Sequence, residues 1–342
     1  VLTVNLMPLK AIQASLAPDT HLIEYYLSDR KTIAWVLSHD SFRGFILPVT
    51  KTEVQDLIHV LRRNIRSPAT QHLDSTASTL YGCLIEPLQP ELLRGNRICI
   101  VSHGVLHHLP FQILKGSDNY LVQDYTLFYS PSANIYHICK QKRTTKGLTM
   151  LAMGDPDLND PALALPFARK EVKAIQSGFP TAEVYLGHQA SKATFLNRAP
   201  GFKLIHLAAH GIYNTINPMR SGLLLAGANQ DTRLLSAEEV FNCRLNAYLV
   251  TLSACETALG KTTGGDELIS VTRAFLYAGT PSVVSTLWSV DDEASAHLMI
   301  SYYDKLRRMD KASALRLAQI ETMKVYPNPF YWGAFILNGD WL

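Results

Sequence analysis

The chain is poor in the features that mark the commoner special classes of protein. It has five cysteines, an odd number, at positions 83, 99, 139, 243 and 255, with no Cys-x-x-Cys spacing. A disulfide framework and a structural zinc site are therefore not expected, and a reducing cytoplasm fits this usage. No apolar run reaches the roughly 18 residues that cross a bilayer. The start, VLTVNLMPLKAIQ, lacks the basic flank and cleavage pattern of a secretory signal. It opens on Val rather than Met, as expected for a mature or excised piece of something longer. The formal net charge is +3, too small to argue for nucleic acid or a membrane surface. Fixed-period repeats and low-complexity tracts are absent too.

What remains is an ordinary globular balance. Of 342 residues, 47% are hydrophobic and 18% charged, so the chain can bury a large core in one large domain or two moderate ones. Residues 1–20 read as the helical tail of an upstream region. Between about 24 and 48, EYYL, TIAWVLS and RGFILP are separated by SDRK and HDSF, which predicts three short antiparallel strands. Residues 51–66 carry Val54, Leu57, Ile58 and Leu61 at helical spacing. A second helix is expected at about 75–88, a buried strand at 97–102 and a hairpin-like YLVQDYTLFYS at 120–130.

The polar, basic run KQKRTTKG (140–147) is the clearest break and reads as a solvated linker. Beyond it, strands at about 148–156, 182–186, 203–209, 247–253, 281–288 and 330–339 alternate with helices, the signature of a mostly parallel α/β sheet. Each half contains an apolar strand ending in His-Gly, VSHG at 101–104 and LAAHG at 207–211, which hints at a duplicated unit.

Two strand ends carry the chemistry. KLIHLAAHG stops at His210 and Gly211, and YLVTLSACET stops at Cys255 and Glu256. In open α/β sheets, ligands gather just beyond the carboxyl ends of the strands. A thiol there becomes a nucleophile when an imidazole takes its proton, and the same imidazole can protonate a leaving amine. Cys255 follows His210 by 45 residues, room for a loop, a helix and a strand, so the two ends can be neighbours. The amides of Gly211 and Cys255 are the natural oxyanion donors, and Gly211 lets the backbone turn sharply beside a substrate. Glu256 is expected to point away, because a charge facing the thiol would raise its pKa.

AAHG, LSAEEV, LVTLSACETALG, GGDELISVTRAFLYAGTPSVVSTLWSVDD and the terminal NPFYWGAFILNG together resemble the CHAT family. These are caspase-like cysteine peptidases related to separase and often fused to tetratricopeptide repeats. LIEYYL, LHHLPFQIL and YSPSA resemble that family's N-terminal half, so the resemblance runs from about residue 20. It implies a caspase-like, mostly parallel sheet flanked by helices and preceded by a degenerate, pseudo-caspase-like α/β half with short antiparallel strands. The implied domains are 21–139 for that half, 140–147 for the linker and 148–342 for the catalytic half. His210 and Cys255 are the implied dyad, with no obligatory third residue and no cofactor or metal.

Separases carry a similar Trp–x–Val–x–Asp segment, in which the Asp, here Asp292, recognises a basic residue before the scissile bond. Asp291 and Asp292 are therefore candidate substrate-binding residues that would pair with an Arg. The alternative is that they cap the helix DDEASAHL, and one can cap while the other lines a pocket. Gly264, Gly265 and Asp266 read either as a mobile rim or as the start of a helix. His103 is a decoy, lacking a matched Cys, and His107 and His108 lack the carboxylate spacing of a metal site. The other four cysteines read as core or surface thiols. The basic run 140–146 is also an expected self-cleavage site if the enzyme prefers basic residues.

The sequence thus predicts a cysteine endopeptidase that cuts a protein substrate after Arg or Lys. Family members are often latent, and some act in bacterial defence beside an RNA-guided complex. The implied partner is an activating protein or such a complex, met through an upstream repeat region, with no direct nucleic-acid or membrane binding. The alternatives are a non-catalytic interaction module of the same fold and another Cys-dependent acyl transferase.

Overall fold

The alternating residues of the first fifty positions form a meander. β1 (Thr20–Leu27), β2 (Thr32–Leu37) and β3 (Phe42–Leu47) pair antiparallel, the three strands expected there. Ser28 and Lys31 close the first turn, and Ser38 and Ser41 close the second. The computed structural model describes residues 6–65, 73–143, 147–214, 216–253, 266–289 and 291–342, with backbone alone for 266–270. The chain divides into two units, Val1–Gln141 and Lys142–Leu342.

In the first unit, β4 (Arg97–Val101) lies parallel to β1, and β5 (Thr126–Tyr129) lies parallel to β4, giving the order β3-β2-β1-β4-β5. The helices are α1 (Leu9–Ser15), α2 (Lys51–Ile65), α3 (Leu73–Leu84), α4 (Leu121–Asp124) and α5 (Ala133–Gln141). α2 buries Val54, Ile58, Leu61 and Ile65 along one stripe. Thr50 and Glu53 cap its start reciprocally, the Thr50 amide donating to Glu53 Oε2 at 2.7 Å. α3 stops at Leu84, short of the expected end, and a 3₁₀ turn containing Pro87 and Pro90 follows. The expected hairpin at 120–130 does not form. Only Lys115 and Tyr120 bridge, and the chain makes one helical turn before β5, which is buried throughout.

The main sheet of the second unit is mostly parallel, in the order β14-β13-β12-β8-β6-β7. Its strands are β6 (Met150–Pro156), β7 (Ala182–Gly187), β8 (Leu204–Ala208), β12 (Leu249–Ser253), β13 (Ser282–Thr286) and β14 (Phe335–Gly339). β14 alone among them runs antiparallel to its neighbour. A separate antiparallel sheet holds β9 (His210–Ile212), β10 (Gly222–Leu224) and β11 (Leu234–Ser236). The helices are α6 (Pro166–Ser177), α7 (Lys192–Arg198), α8 (Gln230–Arg233), α9 (Ala237–Phe241), α10 (Asp266–Tyr277), α11 (Asp292–Leu306) and α12 (Lys311–Val325). α6 packs on β6, β7 and β8 and against α11, which packs on α12. Phe195 of α7 meets Phe275 of α10 edge to face.

Of the basic run expected as a solvated linker, residues 144–146 lie outside the described residues, and the residues before them make defined hydrogen bonds. Lys140 is tied to the Ser15 carbonyl, and Lys142 donates to the Leu276 carbonyl at 3.2 Å. Arg143 grips the fully buried Asp340 with two hydrogen bonds of 2.8 and 2.6 Å. A buried carboxylate without a cation would be costly, and this fork supplies one.

Candidate active site

β8 and β12 lie side by side and parallel, with Ala208 opposite Ser253. Both are buried along their whole length, as expected of strands covered on two faces. The two strand ends are therefore level. His210 follows Ala208 by two residues, and Cys255 follows Ser253 by two. Cys255, Glu256, Gly264 and Gly265 lie outside the described residues, and Asp266 opens α10.

β8 does not run on through residue 209 as expected. The chain bends at Ala209 and leaves the main sheet, so His210 becomes the first residue of β9, opposite Leu224. Gly211 is accordingly in extended strand opposite Leu223 rather than at a sharp turn. The bend falls two residues earlier than the sequence suggested, because β9 must start straight to pair with β10.

His210 is 6% exposed, and its Nε2 lies 2.8 Å from the Leu163 carbonyl oxygen. A carbonyl only accepts, so Nε2 carries a proton and donates it. In the neutral ring Nδ1 is then the basic nitrogen. The loop that presents Leu163 is built by aspartates. Asp155, at φ 47°, accepts from the Leu165 amide at 2.9 Å and pairs with Arg169 at 2.7 Å. Asp160 accepts from the Ala162 amide at 3.0 Å, capping the 3₁₀ turn Pro161–Leu163. Leu163 was missed in the sequence because a backbone carbonyl leaves no side-chain signal. The signal that could have pointed to it is the density of Asp, Asn and Pro in DPDLNDPALALP, the composition of a tightly turned loop.

The two aspartates have different tasks. Asp291 caps its own helix, its Oδ1 accepting from the Ala294 amide at 3.0 Å. Asp292 instead serves another helix. Its Oδ2 accepts from the Phe167 amide at 2.9 Å, in the first turn of α6, where Leu165 offers no side-chain cap. Its Oδ1 is buried without a hydrogen-bond partner among the described residues. Burial raises this carboxyl above the usual Asp range, and the Phe167 and Ala168 amides oppose that, while Asp291 and Asp155 add to it.

Of the histidines singled out in the first unit, His103 has a structural partner. His103 is exposed, its Nδ1 accepts from the Leu27 amide at 3.2 Å, and its ring lies 4.7 Å from that of Tyr26. His107 and His108 sit in the 3₁₀ turn Gly104–His108, and the His108 carbonyl accepts from Arg62. Among the described residues no group of three or more His, Cys, Asp or Glu side chains is placed to hold a metal, and no helix is long and apolar enough to cross a membrane. Of the cysteines in the described residues, Cys99 and Cys139 are buried and Cys83 and Cys243 partly so.

Known proteins resemble the chain in sequence or in fold. Tetratricopeptide repeat protein 28 of Mus musculus is 26% identical over 320 residues, covering 76% of this chain. The Homo sapiens protein of that name is 25% identical over 320 residues, again covering 76%. The chain spans 13% of the length of either relative. Among solved structures, the Saccharomyces cerevisiae separase–securin complex matches with a TM-score of 0.65 at 10% identity, over 96% of this chain and 30% of that one. At that identity the likeness concerns the fold, a caspase-like, mostly parallel α/β sheet flanked by helices. The CHAT domain model matches residues 74–340, so β1 to β3 precede it, although the resemblance was expected from about residue 20. On a match across most of its length, the chain belongs to the CHAT domain family.

Proposed function

We propose that the chain is a cysteine endopeptidase that cuts a protein substrate after Arg or Lys. The observation that carries this reading is the level ending of β8 and β12, with His210 held by the Leu163 carbonyl so that Nδ1 is its basic nitrogen. Cys255, two residues past Ser253, gives its proton to Nδ1 and attacks the scissile carbonyl. The Leu163 carbonyl supports the imidazolium that forms, because it accepts from Nε2–H throughout. The oxyanion is held by the amides of Gly211 and Cys255. As the carbon–nitrogen bond breaks, Nδ1 returns the proton to the departing amine. Water, activated by the same nitrogen, then releases the acyl group and restores the thiol.

Asp292 is the basic-residue receptor in this proposal, supported by its partnerless Oδ1. Asp291 drops to a helix cap, since its carboxylate is engaged at Ala294. The first unit is read as the degenerate copy and residues 140–147 as the junction. Activation by a protein partner through upstream repeats belongs to the same proposal, supported by the tetratricopeptide repeat names of the relatives, while an RNA-guided complex as that partner rests on the family resemblance alone.

A fluorogenic peptide panel with basic, acidic or apolar residues at the cut position tests the reading. Turnover of Arg and Lys peptides that vanishes in Cys255→Ala supports it. Turnover of acidic or apolar peptides instead overturns the specificity. Silence with every peptide, together with no labelling of Cys255 by an Arg-peptide ketone, favours the non-catalytic module.

A further inference from the structure

Beneath the strand ends lies a polar network in a place where apolar side chains would be expected. Glu171 of α6 is 1% exposed and His206 of β8 is fully buried, with Oε1 and Nε2 2.7 Å apart but not aligned as a hydrogen bond. Ser253 of β12 donates to the other carboxylate oxygen at 3.4 Å. From the far side of the imidazole, Tyr303 of α11 sets its hydroxyl 3.2 Å from His206 Nδ1 and donates to Thr251 Oγ1 of β12 at 2.9 Å. His206 and Thr251 are register partners, as are Ala208 and Ser253, so the network spans two successive rungs between the strands.

Four elements meet here, β8, β12, α6 and α11, and each adjoins the candidate site in sequence. β8 leads to His210 and β12 to Cys255. α6 begins just after Leu163 and supplies the Phe167 amide, and α11 begins at Asp292. Burial raises the Glu171 carboxyl, His206 opposes that, and Asp292 adds to it, so the network feels the site electrostatically. Such a buried polar pair is weak evidence for a role in stability. Replacing a buried ion pair by apolar residues of similar volume is often neutral or favourable.

We propose that Glu171 is a positioning residue for the dyad: by holding His206 and Ser253 it sets the relative height of β8 and β12, and with it the approach of His210 to Cys255. This rests on the peptidase reading above. Glu171 touches no substrate and acts only through the strands.

The test compares Glu171→Gln and the double variant Glu171→Met with His206→Leu on a basic peptide. Both are expected to lose roughly 10- to 100-fold in kcat at unchanged KM, the scale of a displacement of about 1 Å in a reacting pair. The double variant is expected to keep the wild-type melting temperature or exceed it. Wild-type kcat in a double variant that melts no earlier than wild type overturns the inference. If the double variant does not fold, the same kcat and KM comparison on Tyr303→Phe, which loses one hydroxyl, decides: a fall in kcat alone supports the inference, and no change overturns it. Failure of the peptidase reading looks different. The wild-type chain then cleaves no peptide and its Cys255 reacts with iodoacetamide no faster than in the urea-unfolded chain, which removes this inference as well.

Discussion

The two His-Gly pairs show how one dipeptide serves two purposes. In the first unit, His103 is exposed and its Nδ1 accepts from the Leu27 amide, while Gly104 stands at φ 58°. In the second unit, His210 is buried, its Nε2 donates to Leu163, and Gly211 lies in extended strand. The nitrogen a base would need is occupied in the first case and is the basic one in the second. The glycine is demanded by a left-handed backbone in the first case and by no positive φ in the second. The difference lies in which nitrogen the fold engages.

That contrast can be broken by substitution. The largest expected effects are at the second pair. His210→Ala and Cys255→Ala should each lower kcat/KM for a basic peptide by roughly 10³-fold or more, as loss of either partner of a nucleophile–base pair does. An activity that survives either change refutes the assignment. Next comes Asp292→Asn, expected to raise KM for Arg peptides about 10- to 100-fold, in line with loss of a charge-assisted hydrogen bond. Asp292 binds a cation only when ionised, and burial raises its pKa, so wild-type KM for Arg peptides should fall as pH rises through that raised value. The KM–pH profile of Asp292→Asn should lack that limb.

Smaller effects are expected at the first pair, on stability alone. Gly104→Ala should destabilise by about 1–2 kcal/mol in denaturant melts, because a side chain disfavours that left-handed backbone. Crowding is not the cause, since the added carbon would meet only Leu27 Cδ1, at 3.8 Å. His103→Ala should lower stability by about 1 kcal/mol, the worth of the Leu27 hydrogen bond, with kcat and KM unchanged. A loss of activity in His103→Ala would blur the contrast.

Most of the parallel sheet was legible in the sequence because strands buried on both faces leave unbroken apolar runs, as in LIHLA and LVTLS. The helix Pro166–Ser177 carries a start signal in its own sequence, Pro166 at its first position. Three features were hidden, each for a physical reason. The bend at Ala209 depends on β10 and β11, short strands that announce themselves only through pairing. The Leu163 carbonyl is backbone and carries no residue signature. Arg143 looked like part of a solvated run, because its partner Asp340 is 197 residues away in sequence. The paired aspartates were legible as cap or pocket, and the sequence could not show that Asp292 caps a helix other than its own.

The central claim is that the His-Gly pair of the second unit serves a His-activated thiol and that of the first unit does not. It is tested most directly by exposing the chain to an Arg-peptide acyloxymethyl ketone and mapping the adduct by mass spectrometry in wild type, His210→Ala and His103→Ala. The account predicts an adduct on Cys255 alone among the five cysteines, lost in His210→Ala and retained in His103→Ala. An adduct spread over Cys83 and Cys243, or one on Cys255 that is indifferent to His210, would contradict it.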